Sequence, residues 1–261
     1  MDLQLTGRRA LVTGSHRGTG AIIARRLAEE GAEVVVHGFE AGQADAVAVT
    51  IDGAQAVTGD LMSDAGAEAV WRGANEGGDV TILVNNYGRA GRGSFDSPAD
   101  DWHGMYEENV LSAARLVRLA LPVMRGAGWG RIVNLGTIGS TRPNSRNPHY
   151  YAAKGALATM TVALAREVAN SGITVNLVSP GLIHTAEVEA WLTERGRAKG
   201  WGETWEEIAP RAVAAEFPNP VGRFARREEV ADLVCFLASD RAAFVHGQNV
   251  RIDGGAVDIV S

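Results

Sequence analysis

The stretch Arg9-Ala10-Leu11-Val12-Thr13-Gly14-Ser15-His16-Arg17-Gly18-Thr19-Gly20 decides the fold of this chain. Residues 9–13 read as a short buried strand and 14–20 as a glycine-rich turn. The turn leads into an amphipathic helix, 21–30, which Gly31 stops. Glycines in such a turn let the backbone bend tightly and approach a diphosphate, whose charge meets the N-terminus of the next helix. The spacing is Gly-x-x-x-Gly-x-Gly, which is neither Gly-x-Gly-x-x-Gly nor a Walker A loop. Elsewhere such a turn is only a turn, but after the first strand of a parallel sheet it points to dinucleotide binding.

Outward from this stretch, strands and helices alternate. Strands are expected at 33–37, with Val34, Val35 and Val36 in a row, then near 54–58 and at 80–84, 131–135, 174–178 and 249–252. Helical patterns occupy 43–50, 65–75, 99–124, 149–169 and 227–238. Residues 186–216 are helical but irregular, with Trp191, Trp201 and Trp205 among Gly196, Gly200 and Gly202. Nearly continuous apolar strands alternating with helices mean an α/β fold, a parallel sheet covered on both faces. Right-handed crossovers make it doubly wound and Rossmann-like, with ligands at the carboxyl ends of the strands. No linker, repeat or low-complexity tract divides the chain, so 1–261 is expected to be one domain with a mobile lid at 186–216.

Composition narrows the function. An apolar fraction of 46% and a charged fraction of 21% are those of a soluble globular protein. A formal charge of −6 argues against a nucleic-acid or anionic-membrane surface. The single cysteine, Cys235, lies in an apolar helical pattern, reads as a core thiol and suits a reducing cytoplasm. The N-terminus lacks the apolar core of a signal peptide, and no run of 18 apolar residues predicts a membrane span. The six histidines form no metal-ligand motif, so no metal is expected. His149 and His184 lie where a substrate could be reached, although a lone histidine is more often a neutral lining residue. The tryptophans of 186–216 read either as packing anchors or as a lid over an apolar substrate. The loop 89–93 faces substrate or solvent.

The second decisive stretch is His149-Tyr150-Tyr151-Ala152-Ala153-Lys154. Tyr150 and Lys154 are four apart and share one face of a helix. A tyrosine at its ordinary pKa of about 10 is a poor acid–base group at neutral pH, and bringing it to about 7 takes about 4 kcal/mol. One ammonium about 4 Å away supplies roughly that much at an effective dielectric of about 20. Lys154 is therefore expected to depress the Tyr150 pKa and make the phenol a proton donor and acceptor.

Together these pieces resemble the short-chain dehydrogenase/reductase family. The likeness covers the glycine turn at 13–20, Asn85-Asn86-Tyr87-Gly88, Asn109, the Tyr150/Lys154 pair, Pro180-Gly181 and Asp253-Gly254-Gly255. It implies a seven-stranded sheet in one Rossmann domain and a nicotinamide cofactor. Cofactor contacts carry over to Gly14, Ser15, Arg17, Gly18, Thr19, Gly20, Gly38, Asp60, Leu61, Asn86, Gly88, Tyr150, Lys154, Pro180, Gly181, Ile183 and Thr185. Asp60 reads alternatively as a simple turn or helix-cap aspartate. Where NAD enzymes carry a carboxylate at the end of the second strand, this chain has Gly38, and Arg17 suits a 2′-phosphate. NADP is thus favoured, with NAD the alternative because Glu40 lies nearby.

The resemblance further implies that Tyr150 exchanges a proton with the substrate oxygen, that Lys154 binds the nicotinamide ribose and that Asn109 holds a water. The position of the family's carbonyl-polarising serine falls on Thr137, whose hydroxyl has the same donor and acceptor capacity; Ser140 is the alternative. The expected activity is hydride transfer between nicotinamide and a carbonyl or alcohol substrate, and the expected assembly is a homotetramer. A non-catalytic NADP-binding regulator of the same fold would tolerate loss of Tyr150, Lys154 and Asn109, all of which are present. Chain length and glycine spacing disfavour a sugar-nucleotide epimerase or dehydratase.

Overall fold

In the computed structural model, which describes residues 2–259, β1 (Arg9–Val12) is buried throughout and leads through the glycine turn into α1 (Gly18–Glu29). The chain continues as β2 (Glu33–Gly38), α2 (Gln43–Ala48), β3 (Gln55–Thr58), α3 (Asp64–Ala74) and β4 (Val80–Asn85). Next come α4 (Ala99–Tyr106), α5 (Ser112–Ala127), β5 (Gly130–Leu135), α6 (Pro148–Glu167) and β6 (Ile173–Pro180). The chain closes with α7 (Ala186–Ala198), α8 (Trp205–Glu216), α9 (Arg227–Leu237) and β7 (Asn249–Ile252).

The strands form one seven-stranded sheet in the order β3-β2-β1-β4-β5-β6-β7, and each pair is parallel. Alternate strand residues face opposite layers, as the period of two requires. Ala10, Val12, Val34, Val36, Ile82 and Val84 pack with Ile23 and Leu27 of α1 and Val230 and Val234 of α9. Leu11, Val35, Leu83, Ile132 and Val175 pack with residues of α3, α5 and α6. Strands apolar on both faces are what two helical layers demand, and burying each leucine-sized side chain contributes about 1.5–3 kcal/mol. The winding reverses between β1 and β4, which opens a crevice at their carboxyl ends.

Two segments differ from the periodicity reading. The helix expected over 99–124 is interrupted by a π-helical turn, Glu107–Leu111, which carries Asn109. Pro122 lies inside α5, and the helix continues through it because Leu116, Ala120, Leu121 and Met124 are anchored in the core. Residues 186–216 resolve into α7 and α8, each started by a threonine cap, Thr185 on Val188 N and Thr204 on Glu207 N. Leu192, Ala212, Val213 and Phe224 form a small core of their own with Trp191, Trp201 and Trp205 packed against it, so the tryptophans serve as anchors.

Candidate active site

The glycine turn is held by residues beneath it. Ser15 is fully buried; its hydroxyl donates to Val12 O at 2.6 Å and accepts from His37 N at 2.9 Å. His37, also fully buried, accepts the Gly14 N–H on Nδ1 at 3.0 Å, so its hydrogen lies on Nε2, which reaches Gly59 O at 3.0 Å. Burial pushes the His37 pKa down to about 4. Asn86 ties the turn to β4 by donating to Thr13 O at 2.8 Å and Gly14 O at 3.3 Å. Gly14 and Gly18 both adopt φ 59°, which suits glycine. The side chains of Ser15 and Asn86 are thus committed to bracing, and the turn offers its backbone to a ligand. The sequence marks His37 only as a polar residue after the valine run of β2.

Beside the turn lies a cavity of about 220 Å³ lined by Gly14, His16, Arg17, Phe39, Tyr87 and Gly88, among others. Phe39 meets the Tyr87 ring at 4.5 Å. At Gly38, α2 approaches so closely that a Cβ would lie 2.9 Å from Ala44 N and from Gln43 Cβ, leaving no room for a carboxylate side chain. Glu40 is exposed and is held by Gln43 Nε2 at 3.1 Å. Arg17 is exposed and reaches Glu187 of α7 at 3.4 Å. Asp60 is exposed and accepts from Met62 N at 2.9 Å, which is turn-capping geometry. Leu61 is wholly buried, in the core cluster against which Phe39 and Tyr87 pack.

On the other side of the crevice, β4, β5, the π-helical turn and α6 bring four predicted residues together. Lys154, 4% exposed, donates to Leu135 O at 2.8 Å. Asn109, 1% exposed, donates to Met105 O at 2.9 Å and Arg89 O at 3.1 Å, and its Oδ1 is buried with no partner among the described residues. Gly88 fits between them: a Cβ there would lie 2.5 Å from Asn109 Oδ1 and 2.9 Å from Lys154 Nζ. Thr137 follows β5 and its hydroxyl accepts from Gly139 N at 3.2 Å, whereas the Ser140 hydroxyl is committed to Thr137 O at 2.7 Å.

The expectation that Lys154 depresses the Tyr150 pKa is corrected. Burial pushes Tyr150 up to about 12, with Tyr151 adding to the rise and the Thr137 hydroxyl opposing it. Burial also brings Lys154 down to about 8. The lysine is directed at the Leu135 carbonyl, and desolvation is the leading cause of both shifts.

Pro180 is the last residue of β6 and aligns with Ile252, while Gly181 N donates to Ile252 O at 3.0 Å. Ile183 bridges to Ala225, and Thr185 caps α7. His184 stacks on Trp205 at 4.5 Å and contacts Glu189 at 2.7 Å, so it is held within the α7–α8 unit. Among the described residues no His, Cys, Asp and Glu group could hold a metal ion, and no helix is long and apolar enough to cross a membrane.

A doubly wound parallel sheet with a glycine turn at its switch point, facing a partly buried phenol and a buried ammonium, defines a nucleotide-binding α/β oxidoreductase architecture. A family profile described as enoyl-(acyl carrier protein) reductase matches residues 14–257. The chain belongs to the short-chain dehydrogenase/reductase family. It is 36% identical over 260 residues to 3-oxoacyl-[acyl-carrier-protein] reductase of Pseudomonas aeruginosa, covering 97% of this chain and 98% of that protein. It is 35% identical over 263 residues to D-beta-hydroxybutyrate dehydrogenase of Cupriavidus necator, covering 97% of this chain and 99% of that one. L-sorbose reductase from Gluconobacter frateurii, solved with NADPH and L-sorbose, superposes over 100% of both chains with a TM-score of 0.92 and 30% identity.

Proposed function

We propose that this chain is an NADP-dependent oxidoreductase that interconverts a carbonyl and an alcohol, with Tyr150 as the group that exchanges the proton. The observation that carries the reading is the convergence of Asn109 and Lys154 on Gly88, next to the glycine turn. NADP, when bound, donates or accepts the hydride. The backbone of 14–20 and the N-terminus of α1 would hold the diphosphate. Arg17 would hold the 2′-phosphate by charge-assisted hydrogen bonds, and the lack of space for a carboxylate at Gly38 removes the group that would repel it.

In the reducing direction Tyr150, protonated throughout the neutral range, gives its proton to the substrate oxygen. Thr137 would donate to that same oxygen, since its hydroxyl accepts from Gly139 N and keeps its hydrogen for the substrate. The phenolate left behind would be stabilised by Lys154, which with a pKa of about 8 is mostly charged at neutral pH. Asn109 Oδ1, buried with no protein donor among the described residues, suits a water that passes protons onward from Lys154. Thr185 at the head of α7 and the 186–216 unit would close over the site as a lid. Exposed Tyr106 on α4 and Val162 on α6 support burial of those helices in a homotetramer. The test is purified protein with NADPH or NADP and a panel of carbonyl compounds and alcohols, following nicotinamide absorbance in both directions. Turnover that prefers NADPH is expected; no turnover of any pair would overturn the reading.

A further inference from the structure

Two loops meet beside Tyr150: residues 88–97, which leave β4, and residues 141–147, which enter α6. They are joined where Asn147 N donates to Gly93 O at 3.2 Å and the Asn147 side chain accepts from Gly93 N at 3.3 Å. Asn147 is the residue that starts α6, so this junction lies three positions before Tyr150. Four arginines sit on the two loops. Arg89 is bidentate on Glu108 at 2.8 and 3.0 Å, and Arg142 is held by Ala256 O at 2.9 Å and Asp258 at 3.6 Å. Those two charges are matched.

Arg92 and Arg146 flank the junction, one on each loop. Both are exposed, and neither guanidinium enters an ion pair or hydrogen bond among the described residues. The acids of the same stretch, Asp96, Asp100 and Asp101, are exposed as well; Asp100 lies 4.0 Å from His103, and none pairs with either arginine. Beneath the junction is His149, 2% exposed, whose Nδ1 accepts the Tyr150 N–H at 2.8 Å. Its hydrogen therefore lies on Nε2. A Cβ on Gly93 would collide with that Nε2, which has no acceptor among the described residues. Trp102 closes the other side, edge-on at 5.9 Å. In a chain of formal charge −6, two unmatched guanidinium groups lie on loops joined at Gly93 and Asn147, and an imidazole N–H without an acceptor among the described residues lies against Gly93, one residue before Tyr150 in α6.

We propose that the substrate is an oxo acid or hydroxy acid whose carboxylate is received by Arg92 and Arg146, with His149 Nε2–H as a third donor, while its reacting carbon faces Tyr150. The proposal rests on the function proposed above and adds the substrate class. A guanidinium matches a carboxylate in two parallel hydrogen bonds, and the planar group has acceptor positions left for the imidazole.

The test measures kcat/KM with NADPH for oxo acids, with the carbonyl at successive distances from the carboxylate, against their methyl esters, neutral ketoses and a phosphorylated ketose. An acid is expected to exceed its ester by at least about tenfold, and added salt should erode the preference. In the Arg92→Ala/Arg146→Ala double variant the acid-over-ester ratio should fall at least about tenfold, and in Arg92→Lys/Arg146→Lys by less. Both side chains are exposed, so their removal leaves the core intact. The proposal is overturned by an ester, a neutral ketose or the phosphorylated ketose outperforming every acid, or by a double variant that loses acid and ester turnover equally. No turnover of any compound would instead overturn the function on which it rests.

Discussion

Gly88→Ala places one methyl group where the site has no space. The new Cβ would stand 2.5 Å from Asn109 Oδ1, and ordinary contact begins at 3.4 Å, so about 0.9 Å (3.4 − 2.5) must be found. Asn109 cannot yield that distance and keep its hydrogen bonds to Met105 O at 2.9 Å and Arg89 O at 3.1 Å. Lys154 Nζ, 2.9 Å from the same methyl, is fixed by Leu135 O at 2.8 Å. Overpacking of this kind costs about 1–3 kcal/mol, and the weakening of two buried hydrogen bonds falls in the same range. A loss of about 2–3 kcal/mol in urea unfolding is therefore expected. Displacing Lys154 and Asn109 by nearly 1 Å should also cut turnover by about a hundredfold. A variant with wild-type stability and turnover would show that these side chains do not converge on Gly88 as described.

Further outcomes follow from individual residues. His37, fully buried and held neutral at about 4, takes up its proton less readily in the folded chain than in the unfolded one. Its contribution is therefore present above about pH 6.5 and is lost as pH falls towards about 4, about 3 kcal/mol in all. Urea unfolding against pH should have a shallower acid slope in His37→Gln, and an unchanged slope would refute this. Arg17→Ala should weaken NADPH binding by roughly 1.5–3 kcal/mol and NADH binding little, read by fluorescence titration; equal losses would contradict the phosphate assignment. Thr137→Val should lose about 2.7–4 kcal/mol of transition-state stabilisation, while Thr137→Ser keeps most activity. Near-normal rates in Thr137→Val together with collapse in Ser140→Ala would reverse the two roles.

Much of this molecule is legible in its sequence because the sheet is built by local rules. Apolar runs such as Val34–Val36 can only be strands between two helical layers, and the glycines of 14–20 mark the switch point directly. What lies across distance was not legible. His37 carries no motif, and its role exists only because Gly14 and Gly59, far apart in the chain, both approach its ring. The π-helical turn at Asn109 is invisible to a period of 3.6. The spacing of Tyr150 and Lys154 places them on one face of α6, but spacing says nothing about desolvation. Burial moves both groups opposite to the direction that charge attraction alone gives. The 186–216 segment shows the same limit: its tryptophans were visible, whereas their inward packing against Phe224 depends on a residue outside the segment.

In the proposed reaction the Tyr150 phenol carries the proton to the substrate oxygen. Tyr150→Phe keeps the ring in its partly buried place and removes only the hydroxyl. Steady-state turnover of this variant with NADPH and the best substrate of the panel, alongside NADPH binding by fluorescence titration, tests the claim most directly. NADPH affinity close to wild type and turnover reduced by at least about a hundredfold are expected. Wild-type-like turnover in Tyr150→Phe would contradict it.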